Sequence, residues 1–264
     1  MTRALHIDGS FLAYSRFVVD PETTTARFLR KVESLCERYS PRLCYVHWDA
    51  RGGTDWRRDL WPLYKSNRGP KKEGYREALD EIREALAAGG TLQVASVEGE
   101  ADDTIATLVR STPGPHLVWT ADKDLLQLIS RSCGVVRAAA GRGKVDELVT
   151  LDTLPNYESQ LSGAAVRGLS PQGWADLLTL AGDAVDGVPG VAGIGPGRAL
   201  RLLQACPNIV DRVIAGDRQG VHAAVAAQDQ SLVKFALRCA NAREAVGLSR
   251  RLIELRTLDN LEVW

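Results

Sequence analysis

The sequence has no net charge, few aromatic residues and no long apolar run. Its 264 residues carry 33 Lys and Arg against 33 Asp and Glu, and 6% of the residues are aromatic. A neutral chain has no overall field to attract nucleic acid, so any such function depends on where the charges lie. Every apolar run falls far short of the ~20 residues that span a bilayer, which argues against a membrane partner.

Cysteine is sparse and follows no metal-binding spacing. The five cysteines are odd in number, widely spread and include no C-x-x-C pair, which fits a reducing compartment and argues against a zinc site. Met1-Thr2-Arg3 leads directly into a strand-like segment and not into the apolar stretch of a signal peptide. With 45% hydrophobic and 25% charged residues, the composition is that of an ordinary globular protein. We therefore expect a cytoplasmic location, and a monomer because no heptad pattern is present.

Strand-like and helix-like segments alternate in the first half of the chain. Helical spacing covers Thr24 to Tyr39 and Gly74 to Ala88. Alternation of this kind predicts an α/β fold with a twisted, mostly parallel sheet flanked by helices. The predicted strands are Ala4 to Ile7, Leu43 to Trp48, Leu92 to Val97, Leu117 to Thr120 and Val135 to Ala139.

A helical region is predicted after the sheet. Strand-like runs stop after about residue 145, and Ser170-Pro171 is typical of a helix start. A glycine-rich stretch from Gly182 to Gly197 separates this helix from a second one over Arg198 to Ala205. We therefore predict a sheet domain over residues 1–168 and a helical region over residues 169–264.

Acidic residues follow four consecutive predicted strands. The carboxyl ends of parallel strands line one crevice, so these side chains are expected to converge. Helix capping is the simpler interpretation for any single acid, and Asp103 fits an acid of the first helical turn. Four acidic strand ends together favour bound cations, and oxygen ligands without nearby His or Cys favour Mg²⁺ or Mn²⁺. The candidates are Asp8, Asp49, Glu100, Asp102, Asp103, Asp122 and Asp124.

A basic segment lies between the second and third predicted strands. Residues 51–76 hold eight Lys and Arg against three Asp and Glu, with Trp56, Trp61 and Tyr64 between them. Cations interleaved with aromatic rings are typical of surfaces that bind single-stranded nucleic acid, although such a run alone is more often a solvated face. The candidate DNA contacts here are Arg57, Arg58, Tyr64, Lys65, Arg68, Lys71 and Lys72.

The glycine-rich turn is a second candidate phosphate contact. Glycines allow a close backbone approach, and free amides at a helix start favour an anion. A tight interhelical hairpin needs glycine in any case. Asp183 and Asp186 either cap this hairpin or add carboxylates to the crevice. The candidate contacts are Gly193, Gly195, Gly197 and Arg198.

Six blocks in this order resemble the structure-specific 5′ nucleases, the flap endonuclease and 5′-3′ exonuclease family that includes the 5′-nuclease domain of bacterial DNA polymerase I. The resemblance spans nearly the whole chain and implies a PIN-like sheet domain. The blocks are His6-Ile7-Asp8-Gly9-Ser10, Trp48-Asp49, Tyr64-Lys65-Ser66-Asn67-Arg68, Gly99-Glu100-Ala101-Asp102-Asp103, the segment Thr120 to Gln127 and the segment Gly182 to Gly195.

The resemblance implies two divalent ions in the catalytic site. One set of ligands is Asp8, Asp49, Glu100 and Asp102, and the other is Asp122, Asp124 and Asp183, with Asp186 close by. In a two-metal mechanism the ions activate the attacking water and neutralise charge on the phosphate.

The resemblance also assigns the basic segment and the glycine turn. Lys65 and Arg68 match a catalytic basic pair on the helix that opens an arch (about residues 51–90), and Tyr64 matches its aromatic neighbour. The glycine turn matches a helix-three-turn-helix that holds duplex DNA through backbone amides and a potassium ion. Expected substrates are DNA with 5′ flaps, ends or nicks, with RNA–DNA hybrids as another class, and a DNA polymerase would be a separate chain.

Three other functions compete with this one. A PIN-type ribonuclease has a similar acidic crevice, but PIN domains are short and lack the arch and the glycine-rich helical pair. A non-catalytic branched-DNA-binding module is favoured by loss of metal ligands, and none is lost. A nucleotide-binding regulator would carry G-x-G-x-x-G where Asp8-Gly9-Ser10-Phe11 stands. His6 and His47 are interpreted as packed structural residues.

Overall fold

The computed structural model describes residues 4–139 and 145–264. The chain forms two compact units. Unit 1 comprises Met1–Trp56, Gly69–Leu151 and Leu255–Trp264, and unit 2 comprises Arg57–Arg68 and Asp152–Glu254. This division differs from the predicted boundary at residue 168, because segments distant in sequence pack together in each unit.

Unit 1 is built on a seven-stranded sheet in the order β6-β5-β4-β1-β2-β3-β9. The central strands are parallel, and the two edge strands β6 and β9 are antiparallel to their neighbours. All five strands expected from sequence are confirmed. The strands are β1 Ala4–Asp8, β2 Leu43–His47, β3 Leu92–Ala95, β4 His116–Thr120, β5 Cys133–Arg137, β6 Glu147–Val149 and β9 Glu262–Val263.

The helices of unit 1 cover the sheet, which explains why β1 and β4 are buried along their whole length. In the helix Tyr75–Ala88, apolar side chains recur at helical spacing and join the core, namely Tyr75, Ala78, Ile82 and Leu86. That helix belongs to the sheet's covering layer, although it lies in the segment predicted as an arch. The helices are α1 Gly9–Phe17, α2 Thr24–Tyr39, α4 Tyr75–Ala88 and α5 Ala101–Ser111, while α3 Asp55–Leu60 has its first two residues in unit 1 and the others in unit 2.

Strand-like structure does not stop near residue 145, contrary to the prediction. Unit 1 gains β6 and β9, and unit 2 contains the small antiparallel pair β7 Ser159–Leu161 and β8 Ala164–Val166. Each of these strands has only two or three residues, which is too short to give a period-2 signal in the sequence.

Unit 2 is otherwise helical, as predicted. The hydroxyl of Ser170 accepts a hydrogen bond from the amide of Gly173 and caps the first helix, which a glycine-rich loop joins to the second. None of the helices in residues 4–139 and 145–264 has the length and apolar character needed to cross a bilayer. The helices are α6 Pro171–Ala181, α7 Pro196–Ala205, α8 Ile209–Ala215, α9 Arg218–Gln228, α10 Val233–Asn241 and α11 Arg243–Ile253.

Candidate active site

Asp8 is the last residue of β1 and also caps α1. Its Oδ1 accepts from the amide of Phe11 at 3.0 Å, and its Oδ2 accepts from the Thr120 hydroxyl at 2.9 Å. Burial, with 9% of the residue exposed, and to a smaller extent the charges of Asp49 and Asp122 raise the pKa of Asp8 to about 7, although the two hydrogen bonds that it accepts lower it. Asp8 therefore lies among like charges at the carboxyl edge of the sheet. Sequence reasoning missed Thr120, whose signal is a hydroxyl at the end of the neighbouring strand.

Asp49 joins the end of β2 to the start of α5. Its Oδ1 accepts from the amide of Ala101 at 3.0 Å, and its own amide donates to the hydroxyl of Ser10 at 2.7 Å. Asp49 is exposed, so its carboxylate remains accessible from solvent. Ser10 is a second positioning hydroxyl that the sequence did not reveal.

The acids at the start of α5 divide into two kinds. Asp103 is fully buried, and both of its oxygens accept from backbone amides, those of Glu100 at 3.2 Å and Arg256 at 2.9 Å. This arrangement supports the capping interpretation of Asp103, as the reciprocal partner of Glu100 in a capping box. Asp102 is half-buried and accepts from the amide of Asp103 at 2.7 Å.

Asp122 and Asp124 follow β4. The amide of Asp122 donates to the hydroxyl of Thr120 at 2.9 Å, and Asp122 Oδ1 accepts from the amide of Asp124 at 2.8 Å. Lys123 Nζ lies 3.6 Å from Asp124 Oδ1. The tight turn thus places both acids at the same carboxyl edge of the sheet as Asp8, as the sequence predicted.

The donor chemistry of this edge fits a hard divalent cation, because every candidate ligand is a carboxylate oxygen. Within residues 4–139 and 145–264, however, no group of three or more His, Cys, Asp or Glu side chains is arranged to hold a metal ion. The carboxylates are therefore suitable ligands for a divalent cation, but their side chains would have to move closer together to bind one.

In unit 2, Lys65 and Arg68 both pair with Asp186. Lys65 Nζ lies 3.7 Å from Asp186 Oδ2, and the guanidinium of Arg68 donates to Asp186 Oδ1. Contrary to expectation, the two cations are not on a helix, because α3 ends at Leu60 and Lys65 has a φ of 53°. The basic pair is instead held in a turn by an acid that sequence reasoning assigned to the metal site.

The segment 61–68 packs on the loop 183–188. The first and last residues of this loop, Asp183 and Val188, form two backbone hydrogen bonds with each other. The indole of Trp61 donates to the Gly187 carbonyl at 2.8 Å, and the Asn67 amide group donates to the Ala184 carbonyl at 2.9 Å. Asp183 itself is buried, and its Oδ1 accepts from the amide of Val185 at 2.8 Å. The capping role foreseen for Asp183 is therefore present in this loop.

Gly187 is required for this packing. It has a φ of +71°, and a Cβ atom there would lie 2.5 Å from the carbonyl oxygen of Leu63. Real Cβ atoms do not approach an oxygen so closely, and left-handed φ values favour glycine. The close approach explains why glycine stands at this position.

Two of the predicted DNA contacts are buried and need correction. Arg57 is 1% exposed, and its Nε donates to the Leu252 carbonyl at 3.1 Å. Tyr64 is 3% exposed, with the Arg57 guanidinium 5.7 Å and Lys65 Nζ 5.0 Å from its ring centroid. These rings and cations pack on one another, so neither Arg57 nor Tyr64 offers a surface to DNA. Arg58 is exposed, and its contact with DNA stays a prediction.

Lys71 and Lys72 are exposed in unit 1 and line a cavity of about 720 Å³. Arg51 and Arg76 contribute two more cations to its lining. Lys71 Nζ lies 4.0 Å from the ring centroid of Tyr14. Tyr75, Glu73 and Glu77 also line the cavity, so its four basic residues exceed its two acids, and this surplus of positive charge suits an anionic ligand.

The glycine turn between α6 and α7 is held by two arginines. Arg198 Nη1 donates to the Gly193 carbonyl at 2.9 Å, and Arg238 Nη1 donates to the Ala192 carbonyl at 3.2 Å. Gly195 stands at the N-cap of α7, where Pro196 has no N–H and the Arg198 amide donates to the Gly195 carbonyl, so the first turn offers the amide of Gly197. Both of these carbonyl oxygens therefore accept from an arginine side chain.

Comparison with known families identifies the chain. A family model described as 5′-3′ exonuclease, N-terminal resolvase-like domain, matches residues 3–154. A second, described as 5′-3′ exonuclease, C-terminal SAM fold, matches residues 169–263. The chain belongs to the 5′-3′ exonuclease family.

Curated relatives include free-standing exonucleases and DNA polymerases. A 5′-3′ exonuclease of Aquifex aeolicus is 30% identical over 210 residues, which are 75% of this chain and 68% of that protein. The thermostable DNA polymerase I of Thermus thermophilus is 30% identical over 214 residues, 76% of this chain. The chain matches 24% of the length of that polymerase.

Solved structures share the fold at low identity. A phage T5 flap endonuclease in complex with DNA and metal ions has a TM-score of 0.71 at 17% identity, covering 97% of this chain and 90% of that one. The catalytic core of Rad2 with a DNA substrate has a TM-score of 0.59 at 12% identity, covering 98% and 80%.

Proposed function

We propose that this chain is a divalent-metal-dependent nuclease that hydrolyses DNA phosphodiester bonds as a 5′-3′ exonuclease, a 5′-flap endonuclease or both, in replication or repair. The observation that carries the proposal is the acidic carboxyl edge of the sheet. Asp8 ends β1, and Asp49 and Asp122 lie just after β2 and β4. The negative charges of Asp49 and Asp122 help to raise the pKa of the buried Asp8. An uncompensated cluster of this kind is costly, and cations offset that cost.

Asp8, Asp49, Glu100 and Asp102 would hold one ion, with Asp122 and Asp124 toward the second. When bound, divalent ions supply an activated water and neutralise charge on the phosphoryl and leaving oxygens. We propose Mg²⁺ as the natural ion and Mn²⁺ as its substitute. The contributions of Asp183 and Asp186 to the second ion stay predictions from the resemblance.

The chain's cations would bind and orient the phosphates. Lys65 and Arg68 are the proposed electrostatic stabilisers of the scissile phosphate, and Asp186 fixes where their charged groups lie. Arg58 and the cavity lined by Lys71 and Lys72 would contact single-stranded DNA. The Gly197 amide and the Arg198 side chain would contact the phosphates of a duplex.

DNA with 5′ flaps, ends or nicks is the proposed substrate, and RNA–DNA hybrids are a second class. The DNA complexes of proteins with the same fold support this choice. Similarity to part of DNA polymerase I supports work beside a polymerase. We further propose a cytoplasmic monomer.

A non-catalytic branched-DNA-binding module is the second candidate. It is favoured by the finding that no three potential ligands are already arranged around a metal position in the described part of the chain. The two candidates differ in one respect that can be measured, because only the nuclease cleaves.

The test is cleavage of a 5′-flap DNA carrying separate 5′ and 3′ labels, in Mg²⁺, in Mn²⁺ and in chelator. We expect metal-dependent cleavage by the wild type, loss of turnover in Asp49→Asn with DNA binding retained, and full activity in Asp152→Asn, which removes an exposed acid. A short oligonucleotide product indicates flap cleavage, and a ladder of mononucleotides indicates exonuclease action. Tight binding without cleavage in either metal would establish the binding module.

A further inference from the structure

Three buried histidines form a continuous hydrogen-bonded chain across unit 1. They lie on the neighbouring strands β2, β1 and β4. His47 Nε2 is 3.0 Å from His6 Nδ1, and His6 Nε2 is 3.1 Å from His116 Nδ1. All three side chains are buried. The nuclease chemistry proposed above uses none of them.

Both ends of this histidine chain meet α5. His47 Nδ1 lies 2.8 Å from the hydroxyl of Thr104 in the first turns of α5, and His116 Nε2 lies 3.1 Å from the carbonyl of Thr112, the C-cap. The three rings therefore link the fourth residue of α5 to its C-cap.

The hydrogen bond at the His116 end determines in which direction each hydrogen bond of the histidine chain donates. A carbonyl oxygen can only accept, so His116 Nε2 must carry a proton, and in a neutral ring its Nδ1 must accept. His6 then donates from Nε2 and accepts at Nδ1. By the same logic His47 donates from Nε2, which leaves His47 Nδ1 as the acceptor that begins the chain.

Thr104 supplies the proton that this acceptor needs. In the described part of the chain, its hydroxyl is the one donor within hydrogen-bond distance of His47 Nδ1. The Ala101 carbonyl, also 2.8 Å from that hydroxyl, has a helical partner in the amide four residues on. We therefore expect the Thr104 hydroxyl to donate to His47 Nδ1, because a buried acceptor without a donor destabilises the folded state.

If the hydrogen bonds of the histidine chain donated in the opposite direction, one of the rings would carry a buried positive charge. That direction would place protons on Nδ1 of His47 and His6 and two protons on His116, with the Thr104 hydroxyl turned to Ala101. Among residues 4–139 and 145–264, the partners of the His116 ring nitrogens are His6 and the Thr112 carbonyl, and neither is a carboxylate that would compensate that charge. An uncompensated buried charge is disfavoured, which selects the neutral direction.

The histidine chain ends beside a proposed metal ligand. His47 and Asp49 are two residues apart, and α5 is tied to both, through Thr104 to His47 and through the Ala101 amide to Asp49 Oδ1. These two links are one helical turn apart on α5. Together they fix the start of the helix, which carries Glu100 and Asp102, against the end of β2.

We infer that His47, His6 and His116 form a directional chain of neutral Nε2–H rings set by the Thr104 hydroxyl, and that this chain positions the carboxylates at the start of α5 relative to Asp49. These are positioning residues and not catalytic ones. The metal-ligand part of the inference rests on the proposed function, whereas the ring protonation does not.

The first measurement is long-range ¹H–¹⁵N correlation of the histidine rings in the full chain. We expect three rings protonated at Nε2 alone, with the exposed His222 as an internal reference in fast exchange. Thr104→Val should change the signals of all three buried rings, while Thr104→Ser, which keeps the hydroxyl, should restore them. Thr104→Ala replaces Thr104→Val should the latter fail to fold, and the wild-type spectrum alone decides the direction.

The second measurement is Mn²⁺ binding to the same proteins by calorimetry without DNA. Removing an outer partner of a metal site costs about 10–100-fold in affinity, so we expect about tenfold weaker binding in Thr104→Val and wild-type affinity in Thr104→Ser. A proton on Nδ1 of His6 or His47 overturns the assigned direction. Altered rings with unchanged Mn²⁺ affinity overturn the positioning role. A wild type that binds no Mn²⁺ overturns the proposed metal site and leaves the ring assignment standing.

Discussion

The backbone amide of Lys65 donates to the carbonyl oxygen of Asp186 over 2.8 Å, and the side chains of the same two residues form an ion pair. Asp186 thus controls both the backbone and the charged group of Lys65. A carboxylate shared with Arg68 also lowers the cost of holding two cations in one turn.

Asp186→Asn should release this basic pair. We expect turnover on flap DNA to fall about tenfold, which corresponds to about 1.4 kcal/mol in the barrier, with unchanged Mn²⁺ affinity. Asp229→Asn is the matched control, because Asp229 pairs with Arg201 elsewhere in unit 2. Steady-state kinetics and calorimetry provide the comparison. A loss of Mn²⁺ affinity would instead return Asp186 to the metal ligands.

Gly187→Ala should displace the segment 61–68. Both Gly187 and Gly163 have left-handed φ values, +71° and +78°, but only Gly187 meets a backbone oxygen, that of Leu63. We expect Gly163→Ala to cost about 1 kcal/mol and Gly187→Ala about 2–4 kcal/mol in the free energy of unfolding. Urea unfolding checks both, and equal costs would contradict the proposed close approach.

Asp8→Asn should stabilise the metal-free protein at alkaline pH. The pKa of Asp8 is raised from its ordinary 3.8 to about 7, chiefly by burial, so the folded state holds this proton more tightly than the unfolded state. The stability that it contributes is present below pH 3.8 and is lost as the pH rises to about 7. In chelator at pH 8, thermal unfolding should show the variant more stable by about 1–3 kcal/mol. Added Mg²⁺ should stabilise the wild type and not the variant.

Acid should destabilise the fold through the buried histidines. Burial lowers the pKa of His6 from 6.5 to about 3, and it also lowers that of His47. The unfolded chain therefore binds protons first, and stability falls as the pH drops below 6.5, by up to about 1.4 kcal/mol per pH unit for each histidine, down to about pH 3 for His6. Urea unfolding in an Asp8→Asn background isolates this slope, because Asp8 has the opposite sign. A flat profile from pH 7 to pH 4.5 would rule it out.

The parallel sheet could be predicted because its strands are buried on both faces and therefore strongly apolar. The limits of β1 and β2 differ from prediction by a single residue at one end. The acids at the strand ends followed from the same argument, since parallel strands must end at one edge. Sequence thus locates Asp8 and Asp49, together with Asp122, without any knowledge of side-chain contacts.

The remainder depends on contacts between distant segments. A basic run cannot show which of its members face inward, and so the burial of Arg57 and Tyr64 could not be predicted from it. The partner of Arg57, the Leu252 carbonyl, is 195 residues away in the chain. The histidine chain is equally invisible in the sequence, because its rings come from three strands separated by long connections.

The return of residues 255–264 to the sheet has a consequence for how the protein is made. β9 pairs with β3, and the Arg256 amide donates to the buried Asp103, so unit 1 needs a segment that the ribosome delivers after all of unit 2. Until then the edge of β3 that pairs with β9 stays open. Closure of the sheet at β3 and β9 therefore follows synthesis of the helical unit, which lies earlier in the chain.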